Sequence, residues 1–262
     1  MDVLKRNLAP ISDGVWNEID ERAREVFESY LSARRIVGLK GPLGLNYTVV
    51  PEGRIGPHDE KDGVKYGMYK VKPLVESRIE FELDRWELDN LERGAVDLEL
   101  DDLEEAVKKT ALFEENAIYN SLENAQIIGL QEASENEPIE IGESTSDIME
   151  AVTDGLLKLK ESFVGDNYVL VVGPKVWKKI NKLSENYPLM RKLEETIGNK
   201  VMFSHVLEGA LLLPVDHADL EMTIGRDFSI GYHSSTDEKV KFYIMETFTF
   251  RVLDPAIIVR FK

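Results

Sequence analysis

The chain has 262 residues, of which 43% are hydrophobic, so it can bury a core as one large domain or two medium ones. Its formal net charge of −17 argues against nucleic acid as a ligand, because phosphate groups would be repelled. There is no cysteine, which excludes disulfides, thiolate catalysis and cysteine-based metal sites. No stretch reaches the roughly 18 apolar residues of a transmembrane helix, and the N-terminus lacks the apolar segment of a secretory signal. We therefore expect a cytoplasmic protein with no membrane partner.

Residues 1–13 predict an extended arm, and a helix follows it. Ser12 or Asp13 can cap this helix, because a side-chain oxygen of either residue can accept from a free N–H of the first turn. Apolar residues recur at the spacing of one helical face; they are Trp16, Ile19, Ala23, Val26, Phe27, Tyr30 and Leu31. The pattern predicts an amphipathic helix of about six turns.

Residues 45–82 have a different character, since glycine and proline separate short runs that favour extended structure. Two strands joined by the polar tip at 58–63 would form a long hairpin. Its apolar content is too low for a core of its own, so the hairpin needs a partner surface. The run from Ile79 to Asp84 alternates strictly between apolar and polar residues, which predicts a half-buried strand.

The longest predicted helix runs from Asp101 to about Asn124. Two aspartates at its start lie three residues before Glu104 and Glu105, which resembles an acidic capping box. Its apolar spacing is equally consistent with Phe113 or Glu114 on the buried side. After it, further helices are predicted in the range 145–198, and strands dominate from residue 201 to the end.

The sequence offers no set of residues with catalytic or metal-binding spacing. Its four histidines, at 58, 205, 217 and 233, match no metal-ligand motif, and no Gly-x-Ser-x-Gly turn presents a serine nucleophile. We therefore predict no catalytic residue and no metal site.

Six segments carry a family resemblance through their order and spacing. They are Leu4 to Pro10, Trp16 to Glu25, Gly41 to Gly44, Trp86 to Gly94, Phe228 to Tyr232, and Glu246 to Phe250. Together they resemble the encapsulins, the linocin-like shell proteins of prokaryotic nanocompartments, nearly from end to end. The resemblance implies an α+β fold, that of the tailed-bacteriophage major capsid protein. It implies an N-terminal arm and helix at 1–44, an E-loop at 45–75, a P domain at 76–130 and 221–262 with a spine helix at 101–125, and an A domain at 131–220.

The resemblance also implies a function. Encapsulins are structural proteins without enzymatic activity that assemble with themselves into an icosahedral shell, and the chain length favours the smallest class. The shell encloses a cargo protein that carries a short targeting peptide. The expected cargo is a ferritin-like iron-oxidising protein or a dye-decolourising peroxidase, which gives a role in iron storage or oxidative-stress defence. One alternative is a phage or prophage major capsid protein with the same fold, and a weaker one is a flavin-binding or hydrolytic enzyme.

Five residues match the family's pocket for the cargo peptide; they are Phe27, Leu31, Arg34, Asp227 and Ile230. The apolar members would anchor the peptide, and Arg34 would set its register by a polar contact. Gly38 departs from relatives that carry a larger polar residue there, which bears on cargo specificity.

Trp86 has two interpretations. It can be a core aromatic, which we favour because large aromatic side chains are usually buried. The resemblance instead implies a flavin mononucleotide stacked on Trp86 with Arg78 nearby; no cofactor is otherwise required.

The resemblance also implies that the loop from Leu183 to Leu189 rims a pore at the five-fold axis. Glu185, Asn186 and Tyr187 would set the size and charge of this pore.

Overall fold

A computed structural model describes residues 3–162, 164–183 and 187–262. None of the helices in these ranges combines the length and apolar character that a membrane crossing requires. The helices are α1 (Asp13–Tyr30), α2 (Arg85–Glu92), α3 (Asp101–Asn120), α4 (Leu130–Ala133), α5 (Thr145–Glu161), α6 (Pro174–Lys182) and α7 (Leu189–Ile197). The strands are β1 (Val37–Lys40), β2 (Val49–Lys61), β3 (Val64–Pro73), β4 (Val75–Asp84), β5 (Tyr168–Val172), β6 (Val201–Phe203), β7 (Ala210–Pro214), β8 (His217–Ile224), β9 (Ser229–Ser235), β10 (Lys239–Val252) and β11 (Val259–Phe261).

The strands form two sheets and a hairpin. The first sheet has the order β1-β8-β10-β4, with β9 also paired to β10. The second has the order β11-β7-β5-β6, and β2 pairs only with β3. This differs from the predicted partition at both ends of the chain. β1, from the predicted N-terminal region, joins the first sheet, and β11, from the predicted P domain, joins the second through β7.

Two hydrophobic cores share one long helix and one long strand. The first half of α3 contributes Leu103 and Val107 to the core beneath α1, and its second half contributes Ile118 to the core around the second sheet. β10 does the same, with Phe242 in one core and Phe250 in the other. α3 spans about 30 Å at its 20 residues, so it ties the two cores into one body.

The start of α3 corrects the predicted capping box. The N-cap is Leu100, and no side chain caps it. Glu104 instead accepts from Arg22 of α1 at 2.7 Å, while Glu105 makes the expected pair with Lys109 at 2.6 Å. The helix also ends at Asn120 rather than near 124, because Ser121 has a φ of 91°. By contrast, Ser12 caps α1 as predicted, accepting from the Val15 N–H at 3.3 Å.

The predicted hairpin is present and carries an unusual number of exposed apolar side chains. β2 and β3 together contain 23 residues, and the side chains on both faces are largely exposed. Met68 and Tyr69 are 82% and 75% exposed, and Ile55, Val64, Tyr66 and Val71 are also exposed. The hairpin projects from the body without covering it, so its apolar surface faces solvent in the single chain.

Candidate functional site

A groove of about 540 Å³ lies between α1 and the outer edge of β9. It contains all five predicted cargo-pocket residues: Phe27, Leu31, Arg34, Asp227 and Ile230. The other lining residues are Leu4, Arg6, Asp20, Ala23, Arg24, Glu28, Arg35, Phe228 and Ser229. The fold thus brings together residues separated by about 200 positions in the sequence, as the family resemblance implied.

The apolar wall of the groove comes from both sides. On α1, Ala23, Phe27 and Leu31 follow one another at a spacing of four residues, which places them on one face of the helix. Phe27 stacks on Phe228, which immediately precedes β9, with ring centroids 4.0 Å apart and planes 18° from parallel. Ile230 adds a nearly buried aliphatic side chain. An apolar side chain of a peptide ligand would find well-packed contacts here.

The N-terminal arm closes one end of the groove. The Tyr232 N–H donates to the Leu4 carbonyl oxygen at 2.8 Å, which attaches the arm to the edge of β9. Arg6 Nη2 donates to Asp20 Oδ2 of α1 at 2.7 Å, and its guanidinium lies 3.9 Å from the ring centre of Trp16. The arm therefore bridges from the sheet edge to the helix.

Arg34 lies at the other end of the groove, where its guanidinium group donates to carboxyl groups of its own chain. Nε donates to Glu114 at 2.9 Å, Nη1 to Asp227 at 2.7 Å, and Nη2 to both Glu114, at 2.6 Å, and Glu246. The guanidinium also lies 4.4 Å from the ring centre of Phe228. These bonds use four of the five N–H groups, and the second N–H of Nη1 has no acceptor among the described residues. The predicted role of Arg34, fixing peptide register by a polar contact, stays a prediction. Arg34 organises the floor of the groove.

The carboxylates behind Arg34 are fully buried. Glu114 and Glu246 have no exposed surface, and Glu246 Oε2 has no hydrogen-bond partner among the described residues. Burial, and then the charge of Glu114, raise the pKa of Glu246 well above its ordinary value, although Arg34 opposes this. Burial alone would lower the pKa of the Arg34 guanidinium, but its bonds to Glu114 and the charges of all three carboxylates raise it. The raised pKa of Glu246 favours the neutral form of this group beside Glu114 and the guanidinium.

Sequence reasoning did not assign Glu114, Glu246 or Phe228 to the groove. The sequence did contain a pattern that indicates burial of Glu114 and Glu246. Glu246 lies in the middle of a long apolar strand, and Glu114 occupies a position where the helical spacing called for a buried residue. A carboxyl group at such a position is rarely buried without a partner. The structure resolves the choice at 113 and 114: Glu114 is buried and Phe113 is 37% exposed.

A second buried carboxyl group, Glu115, secures the chain just before Arg34. The backbone N–H groups of Ser32 and Ala33 donate to Glu115 Oε1 at 2.9 and 2.7 Å. Ser32 Oγ donates to Oε2 at 2.6 Å and also lies 2.9 Å from the Tyr119 hydroxyl. Burial raises the pKa of Glu115 to about 7, although these hydrogen bonds act in the opposite direction.

Gly38 lies further along the chain, in β1, and does not line the groove. An added Cβ at Gly38 would come within 3.1 Å of the His217 carbonyl oxygen.

Trp86 is not a core residue: it is 68% exposed on α2, so the favoured interpretation is wrong for the single chain. Arg93, and not Arg78, lies over its ring, 5.4 Å from the centre. Arg78 is on β4, seven residues or about 23 Å before the start of α2, and contacts Glu76, Tyr243 and Met245. One chain therefore does not bring Trp86 and Arg78 together, and flavin mononucleotide binding stays a prediction that needs surface from a neighbouring subunit.

The predicted pore loop is described only in part. Glu185 and Asn186 lie outside the described residues. Tyr187 precedes α7, and its hydroxyl donates to Glu195 at 2.6 Å. That bond, and to a lesser extent burial, raise the pKa of Tyr187. Among the described residues, no group of acidic or histidine side chains is arranged to hold a metal ion.

The fold is that of tailed-phage capsid proteins and related particles. The virus-like particle of Pyrococcus furiosus superposes with a TM-score of 0.65 at 15% identity, covering 93% of this chain and 97% of the other. The structure titled Gordonia phage Cozz gives a TM-score of 0.55 at 12% identity, covering 86% and 84%. These likenesses define the α+β capsid fold and no more.

Sequence similarity defines the family. Residues 1–249 match the family described as "Encapsulating protein for peroxidase". The chain is 32% identical over 252 residues to the type 1 encapsulin shell protein of Mycolicibacterium paratuberculosis, covering 95% of each. It is 33% identical over 264 residues to the type 1 encapsulin shell protein of Rhodospirillum rubrum, covering 97% of this chain and 94% of the relative. The chain belongs to the encapsulin shell protein family.

Proposed function

We propose that this protein assembles with itself into a closed icosahedral shell of the smallest class and that it has no catalytic activity. The observation that carries the proposal is the hairpin β2–β3, whose exposed apolar side chains have no cover in the single chain. Ordering 23 strand residues costs conformational entropy that the hairpin's own contacts cannot offset. Contact with neighbouring copies would supply the missing burial, and one repeated heterologous contact forms a closed shell when its geometry closes.

We further propose that the groove holds a targeting peptide of a cargo protein. Its apolar wall and its enclosed shape are those of a peptide-anchoring site. The cargo is a dye-decolourising peroxidase or a ferritin-like iron-oxidising protein, and the role is oxidative-stress defence or iron storage. The matched family's description names a peroxidase, which favours the first of the two.

The phage-capsid alternative has the same fold, so only the contents of the particle separate it from a cargo shell. The shell protein of Mycolicibacterium paratuberculosis is 32% identical to this chain, whereas the Gordonia phage structure is 12% identical. The net charge of −17 also opposes the packaging of DNA. Particles from the native host should therefore contain a second protein and lack the ultraviolet absorbance of packaged DNA.

The first test is assembly of the recombinant protein. Negative-stain electron microscopy with light scattering should show uniform hollow particles of megadalton mass. A monomer or small oligomer across a range of salt and pH would contradict the proposal.

The second test addresses the groove. Phe27→Ala removes the ring that stacks on Phe228. It should reduce co-purifying cargo about tenfold or more, as loss of a buried aromatic anchor does. Val26→Ala is the matched control, since Val26 is the adjacent residue of α1 and does not line the groove. Equal cargo in both variants, with shells intact, would contradict the assignment.

A further inference from the structure

The outer edge of β9 offers one backbone position to a ligand. Ile230 and Tyr232 lie two residues apart in β9, so their N–H groups point to the same side. The N–H of Tyr232 points away from β10, since it donates to the Leu4 carbonyl of the arm at 2.8 Å. The Ile230 N–H therefore faces the same outer edge.

The N–H groups of the residues two before and two after Ile230 are already satisfied by the chain itself. The Tyr232 N–H donates to the Leu4 carbonyl oxygen of the arm, and the Phe228 N–H donates to Oδ1 of its neighbour Asp227 at 2.8 Å. Ile230 lies between them and lines the groove. Within the described part of the chain, no side chain or loop carbonyl accepts a hydrogen bond from the Ile230 N–H. An unpaired amide at the wall of the groove can donate to an incoming acceptor.

The side chains at this edge lie on the same face as α1. Ile230 packs into the core that contains Phe242 and Ile244 of β10 and the buried residues of α1. A strand added to β9 would direct every second side chain to this same face. Those side chains would meet the apolar wall formed by Ala23, Phe27 and Leu31.

We propose that the groove takes the cargo segment as an added β-strand on β9, paired through the backbone at Ile230 and placed in line with the N-terminal arm. This rests on the proposed cargo function and specifies how the peptide is recognised. The arm already uses this edge in the same way at Tyr232, so the peptide continues an interaction that the fold contains. The ligand is an extended segment with apolar side chains at alternate positions. A carbonyl oxygen of this segment accepts from the Ile230 N–H, and a free N–H on the facing residue donates to the Ile230 carbonyl oxygen, which points to the same edge.

This mode of binding assigns a different task to each wall of the groove. The backbone of Ile230 supplies affinity that does not depend on the peptide's sequence. The α1 wall selects apolar side chains with a period of two residues, whereas a bound helix would show a period of three to four. Arg34, which donates to Glu114, Asp227 and Glu246, keeps Phe228 and Asp227 in place at the end of the edge.

The test uses a probe that requires no knowledge of the natural cargo. A library of random decapeptides is fused to the C-terminus of a monomeric fluorescent protein and co-produced with the shell. Particles are purified, and the enclosed tags are sequenced. We expect enrichment of apolar residues at alternate positions and depletion of proline at one position of that register. Enrichment with helical spacing would overturn the strand mode while leaving the cargo groove in place. No enrichment would overturn the cargo function of the groove itself.

A pair of variants tests the backbone contact directly. Ile230→Pro removes the edge N–H, and proline is tolerated at an edge position whose N–H is outside the ladder. Ile230→Val keeps the N–H and removes one methylene. Capture of an enriched tag should fall about tenfold in the proline variant and stay near the original level in the valine variant. Equal capture by both variants, with particles intact by electron microscopy, overturns the proposal. If the proline variant does not assemble, tags N-methylated at alternate residues are titrated onto disassembled Ile230→Val protein, and equal binding of both methylation registers overturns it.

Discussion

Arg34 shows how one side chain can hold several segments of a groove in place. Its planar fork donates to three carboxyl groups from three separate segments, at 114, 227 and 246. An ammonium group has no fork of fixed geometry, so lysine could not satisfy the same set. Removing Arg34 would leave buried acids without a counter-charge, which destabilises more than the net value of the ion pairs. The groove floor and the stability of the fold are therefore coupled at this residue.

Glu115 gives a pH prediction with a definite sign. Its pKa rises from 4.5 to about 7 in the folded chain. Folding therefore favours the protonated form, and the unfolding free energy decreases as pH rises from about 4.5 to about 7, by at most about 3 kcal/mol. Glu115→Gln cannot ionise, so its unfolding midpoint should decrease less over this range than that of the unchanged protein. The measurement is thermal unfolding of both proteins at pH 5, 6, 7 and 8.

The control for this prediction is Glu105→Gln on the same helix. Glu105 is an exposed acid whose pKa is lowered by its hydrogen bond to Lys109. Its replacement should leave the pH dependence between 5 and 8 close to that of the unchanged protein, because both forms of the group are solvated. Parallel pH profiles for Glu115→Gln and the unchanged protein would rule out the raised pKa of Glu115.

At the scale of elements, the hairpin is the part of the chain that depends most on other copies. Its register has two irregularities, between Pro51 and Ile55 and between Ile55 and His58, so its own ladder is incomplete. Its base is held to the body, since Lys72 Nζ donates to the Gln126 carbonyl oxygen at 2.6 Å. The Leu74 N–H donates to the Thr48 carbonyl oxygen at 2.9 Å, which joins the two ends of the hairpin. The free end carries the exposed apolar residues, which is the arrangement expected of an element that binds a neighbour.

Met68→Asp tests this role of the hairpin. The charge would have to be buried against the neighbour, so the protein concentration at which particles form should rise about tenfold or more. The folded monomer should be unaffected, because Met68 makes no core contact. Asp62→Asn at the hairpin tip is the control, since asparagine tolerates the positive φ of 51° found there. Light scattering across a dilution series gives the answer, and unchanged assembly of Met68→Asp would refute the role.

The whole molecule consists of a body that contains both hydrophobic cores and of segments that project from it. α3 and β10 each contribute residues to both cores, so they fix the position of one sheet relative to the other. The hairpin and the N-terminal arm extend beyond these cores. Copies with a charge of −17 repel one another, so the contacts made by the projecting segments must exceed this repulsion for a shell to form. The same fold is found in viral capsids, so the fold alone does not define the contents of the particle.

The sequence by itself determined the features that depend on neighbouring residues. The cap at Ser12, the amphipathic face of α1, the polar turn of the hairpin and the stop of α7 at Gly198 are local signals, and the structure confirms each one. The family resemblance added the fold and proposed one pocket for Phe27, Leu31, Arg34, Asp227 and Ile230; these residues line one groove, and their binding of cargo stays a prediction. The local predictions needed only periodicity and turn chemistry, whereas the fold and the groove came from the resemblance.

Only the tertiary structure decided which polar groups are buried and which aromatic residues are exposed. Glu246 is buried because Arg34, 212 positions away in the sequence, reaches it. Trp86 is exposed because no segment of its own chain covers that face of α2. Asp101 does not cap α3, although its position suggested a capping box. The physical reason is the same for all three residues. The free energy of a charged or large side chain depends on the groups that contact it in the folded chain, and the spacing of residues in the sequence does not specify those contacts.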